Sequence, residues 1–128
     1  MLSESGGNIA MFQLNYYETE KGNAPLSSYL ESLVEKHDEK SLILIKLYIE
    51  KLREYGNEIN IHFKENASRK ESDGLYELRP GKHRVFFFFW HKGEIVLLHA
   101  FHKKSKRTPK NELDTALKEM QDYRRRYG

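Results

Sequence analysis

"HRVFFFFWHKGEIVLLHAF", residues 83–101, decides the fold. Two apolar runs, Val85 to Trp90 and Ile95 to Leu98, flank His91, Lys92 and Gly93, so the stretch reads as a β-hairpin. The first arm has no polar position from Val85 to Trp90, which means both of its faces need cover. With Lys92 and Gly93 centring a two-residue turn, His91 faces Glu94, Arg84 faces Phe101 and Lys82 faces Lys103.

Outward from the hairpin, "GLYELR" (74–79) before "PGK" supplies a third antiparallel strand. A turn centred on Pro80 and Gly81 sets Glu77 opposite Arg84 and Arg79 opposite Lys82. Side chains alternate along a strand, so Glu77, Arg79, Lys82, Arg84 and Lys103 share one face at one end of the sheet. Downstream, Thr108 as N-cap and Pro109 as first helical residue start a helix carrying Leu113, Ala116, Leu117 and Met120 at helical spacing. Upstream, "MFQLNYY" (11–17) reads as a strand and Pro25 opens a helix to about residue 36. Asp38 caps a second helix with Leu42, Ile45, Ile49 and Leu52 on one stripe, and Gly56 ends it. Residues 57–73 are polar and read as a loop, with a short strand at Ile61 to Phe63. The expected class is α+β: a small, antiparallel-dominated sheet with an N-terminal helical pair on one face and a C-terminal helix on the other.

A chain of 128 residues suits one domain, placed here at 11–128. The small, polar "MLSESGGNIA" (1–10) precedes a second methionine, Met11, and reads as a disordered extension or an upstream start. Cysteine is absent, which excludes disulfides, thiolate metal sites and a cysteine nucleophile, and suits a reducing cytoplasm. No apolar run reaches eighteen residues and no secretory signal opens the chain, so a soluble cytoplasmic protein without membrane attachment is expected.

Lys and Arg exceed Asp and Glu by 22 to 19, too mild an excess to name a partner. Distribution says more. Lys103, Lys104, Lys106, Arg107 and Lys110 follow the hairpin with no acid among them. Around Glu77 the cations have two readings. One is a solvated sheet end, where a Glu77–Arg84 pair contributes under ~1 kcal/mol. The other is a phosphodiester site, in which rigid strands hold arginine forks and the lysines act as point charges.

Among the histidines, His99 and His102 lie three apart on a strand and so point to opposite faces. With no His-x-x-x-His and no carboxylate cluster, neither a metal nor a cofactor is expected. His102 lies between the strand and the lysine pair and could serve as general acid or base. His83 and His91 read as turn or edge residues, His37 and His62 as surface ones, and Arg124 to Arg126 as a solvated helix end.

The ordered set "GLYELR", an arginine opening an aromatic strand, and "LLHAFHKKSKRTPKNEL" resembles the phage-derived HigB-like branch of the RelE/ParE toxin superfamily. "YYETEKGNAPLSSYLESL" is similar to that branch's opening, so the resemblance spans about residues 11–125. It implies a RelE-like fold and the toxin of a type II toxin–antitoxin pair: a metal-independent, ribosome-dependent mRNA endonuclease. By position, Arg84 would bind the scissile phosphate, Lys103 and Lys104 would stabilise the transition state, and Arg79, Lys82, Lys106 and Arg107 would hold RNA. The general base is open between Glu77 and His102. Implied partners are mRNA on the ribosome and a helix-turn-helix, HigA-like antitoxin. Two other classes stay open: a ParE-like gyrase inhibitor, and a non-catalytic nucleic-acid-binding or repressor module.

Overall fold

The computed structural model describes residues 11–128, so the expected extension at 1–10 lies outside the described residues. Strand β1 (Gln13–Tyr16) leads to helices α1 (Pro25–Glu35) and α2 (Glu39–Tyr55). A 3-10 turn (Gly56–Glu58) and the short α3 (Ile59–His62) follow, then β2 (Ser68–Lys70), β3 (Leu75–Leu78), β4 (His83–Trp90), β5 (Glu94–His102) and α4 (Lys110–Tyr127). The five strands lie in the order β1-β5-β4-β3-β2. Among the described residues only β1 runs parallel to its neighbour; the other pairings are antiparallel. The class is α+β, as expected.

Both faces of β4 are covered. Val85 and Phe87 pack with Leu78, Ile95 and Leu97 against Leu26, Ile45, Ile49 and Leu52 of the helical pair. Phe86 and Phe88 pack with Leu75, Val96 and Leu98 against Ala116, Met120 and Tyr123 of α4. Each buried phenylalanine contributes roughly 1.5–3 kcal/mol of transfer free energy, which makes this strand the centre of the hydrophobic stabilisation.

The helix signals hold at α1 and α2. Pro25 opens α1, and the Asp38 carboxylate accepts a hydrogen bond from the Ser41 amide at 3.2 Å. Gly56 closes α2 at φ +57°. A side chain there would also run into the Phe12 ring, so close approach as well as conformation calls for glycine.

Several expectations are corrected. Residues Ile59–His62 form a helical turn, not a strand at Ile61 to Phe63; the short strand comes later, at Ser68–Lys70, pairing with Tyr76 to Leu78. Helix α4 begins at Lys110, with Pro109 in an extended N-cap conformation, and Thr108 does not cap it. The Thr108 hydroxyl donates instead to the Glu77 carboxylate at 2.6 Å, because a buried acceptor competes more strongly than a solvated helix end.

Both hairpin registers differ from expectation near their turns. Trp90, not His91, faces Glu94, leaving a three-residue connection with His91 at φ +43° and Gly93 at φ +84°. Further along, an irregularity between Val85 and Phe87 places one extra residue on β5, opposite Phe86. The two offsets cancel, and Arg84 faces Phe101 as expected. In the other hairpin Glu77 faces Phe86 rather than Arg84. The turn is centred on Gly81 and Lys82, closed by the His83 amide donating to the Pro80 carbonyl at 3.0 Å. Proline cannot take the positive φ that a two-residue hairpin turn needs first; Gly81 can, at φ +61°. The resulting shift is two residues, an even number, so Glu77 keeps the expected face.

Candidate functional site

The end of the sheet where β5 runs out carries the charge. The Lys103 amide donates to the Lys82 carbonyl at 2.7 Å, extending the ladder one step past β5 and fixing both lysines beside each other. From there the chain crosses the sheet end to α4. Lys82, His102, Lys103, Lys104, Ser105 and Lys106 line a pocket of about 520 Å³, and no carboxylate is among them.

A second, buried group adjoins the pocket through the Gly81 turn. Glu77 is 1% exposed and Arg84 6%. The Glu77 carboxylate sits 3.6 Å from the Arg84 Nε and 3.8 Å from the Arg79 Nε. Arg84 Nη1 donates to the carbonyls of Gly81 (2.7 Å) and His83 (2.8 Å). Burial, then the neighbouring Arg79 charge, lowers the Arg84 pKa against the opposing pull of Glu77. A buried carboxylate holding two guanidiniums and a threonine hydroxyl joins β3, the Gly81 turn and the start of α4 into one support. Lys82 directly follows Gly81 in that turn.

The sequence-derived residues therefore separate into two groups. Lys82, His102, Lys103, Lys104 and Lys106 meet around the pocket. Glu77, Arg79 and Arg84 come together outside its lining, and Arg107 is exposed, also outside it. Among the described residues, no group of three or more His, Asp or Glu side chains is placed to hold a metal ion.

Sequence reasoning missed His83, which it left as a turn or edge residue. The ring is 6% exposed, and its Nδ1 and Nε2 lie 2.7 Å and 2.8 Å from the hydroxyls of Tyr29 and Ser41. It packs edge-on to His102, ring centres 5.3 Å apart. Burial and the neighbouring His102 lower its pKa. Nothing local marks this, because Tyr29 and Ser41 come from helices 54 and 42 residues away.

His99 was legible in part. It points away from His102, as strand alternation requires, and bonds Glu119 (2.7 Å) and Glu112 (3.0 Å) on α4. Burial alone would lower its pKa, but the hydrogen bonds and charges of Glu119 and Glu112 outweigh it and the net shift is upward. The signal was the seven-residue spacing of Glu112 and Glu119, which puts two acids on one side of a helix.

No helix among the described residues is long and apolar enough to cross a membrane. A search of curated proteins returns no match. The family model for Phage derived protein Gp49-like (DUF891) matches residues 29–121, from Tyr29 beside His83 to the last core turn of α4, and so spans the pocket and its support. The sheet, the helices on its two faces and that match agree: the chain belongs to the phage-derived Gp49-like family, a family of RelE/HigB-like toxins.

Proposed function

We propose that this protein is the toxin of a type II toxin–antitoxin pair and cleaves mRNA on the ribosome. The observation that carries this reading is the lining of the 520 Å³ pocket: four lysines, a serine and a histidine, with no acid. Such a surface attracts a phosphodiester and stabilises extra negative charge on it. In the reaction, the 2′-oxygen of the message forms a bond to the adjacent phosphorus and the bond to the 5′-oxygen breaks. One proton leaves the 2′-hydroxyl and one reaches the 5′-oxygen, giving a 2′,3′-cyclic phosphate and a 5′-hydroxyl.

Lys103 and Lys104 neutralise the phosphate, Lys82 and Lys106 hold the flanking backbone, and Arg107 adds charge outside the pocket. Of the two candidates for the base, the geometry favours His102, which lines the pocket. Glu77 is engaged by Thr108, Arg79 and Arg84. On this reading Arg84 is a positioning residue that holds the Gly81 turn and through it Lys82, and Arg79 and Glu77 complete the support. The partners are mRNA on the ribosome and a helix-turn-helix antitoxin, which co-purification with the neighbouring gene product would recover.

The test is primer extension on a defined message in a purified translation reaction, with and without ribosomes. Wild type should give ribosome-dependent cuts that vanish in Lys103→Ala/Lys104→Ala. His102→Gln should slow cleavage by about 10²–10⁴-fold. Uncut message from folded wild type would overturn the reading, and altered plasmid supercoiling in its place would point to gyrase.

A further inference from the structure

Beside the basic pocket, and sharing Lys82 and His102 with it, lies a recess of about 230 Å³ whose other walls are Lys40, Ser41, Leu44 and His83. Its chemistry differs from the pocket's. Its lining combines an apolar side chain, Leu44, a hydroxyl, Ser41, and two imidazoles with two lysines. We propose that this recess is a nucleobase subsite, taking the base next to the phosphate held by Lys103 and Lys104, and that Ser41 selects bases carrying an exocyclic amino group.

Ser41 Oγ is held by its neighbours. Burial lowers the His83 pKa, and in the neutral ring one nitrogen carries a proton and the other a lone pair. The Tyr29 hydroxyl lies 2.7 Å from His83 Nδ1, and Ser41 Oγ lies 2.8 Å from Nε2. Whichever of Nε2 and Oγ carries the proton between them, Oγ keeps a lone pair that the ring does not use. The Ser41 amide donates to the Asp38 carboxylate at 3.2 Å, which fixes Ser41 at the head of α2. One lone pair of Ser41 Oγ remains for the recess. It can accept from the amino group of adenine, cytosine or guanine; uracil has no amino group, and its one donor on that edge, N3–H, lies between two carbonyl oxygens that would be set against the same atom. His102, exposed at the rim, offers a ring on which a base can stack.

This subsite rests on the reading of the basic pocket as a phosphodiester site, and its test separates the two. Uncleavable 2′-O-methyl dinucleotides, differing in the base beside the phosphate, are titrated into the full chain, with imidazole and amide NMR signals followed; inorganic phosphate is titrated alongside. Phosphate should move the amides of Lys103 to Lys106 and the His102 ring, and should leave His83 unmoved. The adenine, cytosine and guanine compounds should also move His83, and should bind about tenfold tighter than the uracil compound, the worth of one net hydrogen bond. Ser41→Ala should abolish the discrimination and leave the phosphate titration unchanged. Equal binding of all four, an unmoved His83 at saturation, or discrimination persisting in Ser41→Ala would overturn the proposal. The wild-type comparison stands by itself should that variant fail to fold. Base discrimination with an uncut message would sink the nuclease and leave the subsite; cutting without discrimination would do the reverse.

Discussion

Glu77 is the residue on which the charged end turns. Its carboxylate is buried between Arg84, Arg79 and Thr108, so removing it strands a buried guanidinium. Glu77→Ala should cost about 3–5 kcal/mol of stability and Thr108→Val about 1–3 kcal/mol, both measured by urea unfolding. The two buried histidines should divide the pH dependence between them. His99 is raised above the ordinary value of about 6.5, so its contribution is complete below that pH and is lost as pH rises through the folded value. His83 is lowered, so its contribution is present above about 6.5 and is lost as pH falls through the folded value. Unfolding curves at a series of pH values should show the stability gap between wild type and His99→Gln closing toward alkaline pH. For His83→Gln it should close toward acid, and gaps that do not vary with pH would show that neither histidine is linked to folding.

Among the elements, β5 and α2 carry the consequential irregularities. The extra residue on β5 lets Leu98 pack against α4 while Ala100 packs on the helical-pair side, and it restores the register that sets Lys103 beside Lys82. Without it, every side chain from Ala100 onward would exchange faces. At the end of α2, Gly56 and the distant Gly22 both have positive φ, but only at Gly56 would a side chain strike a neighbour. Gly56→Ala should therefore lower the melting temperature more than Gly22→Ala does, by an amount equivalent to about 1–3 kcal/mol. Equal shifts in thermal melts would mean that the Phe12 ring gives way freely.

Over the whole molecule, a net charge of +3 understates the field an RNA meets, because the acids are deployed elsewhere. Asp122 pairs with Arg125 and Arg126, Glu50 with Arg53, and Glu112 and Glu119 with His99. The lysines of the pocket have no such acid in its lining. Binding of single-stranded RNA should accordingly fall steeply with salt. In Lys103→Ala/Lys104→Ala the slope of log K against log salt should be shallower by about 1.4, two phosphates at roughly 0.7 each. A slope unchanged in that variant would place the RNA elsewhere.

The sequence by itself determined the elements outside residues 57–73 and the faces they bury. An apolar β4 flanked by turn residues, Pro25, Asp38 and Gly56 at helix ends, and apolar stripes on α1, α2 and α4 are local signals that fix local conformation. It also brought Glu77 and Arg84 to one face, since even a register shifted by two residues preserves alternation. Only the tertiary structure decided which charges are solvated and which are buried. Exposure depends on what the loop after His102 and the start of α4 cover, and those segments carry no periodicity to read. The Tyr29–His83–Ser41 chain was equally out of reach, because it joins three elements whose approach is set by packing of the whole core, not by any spacing along the chain.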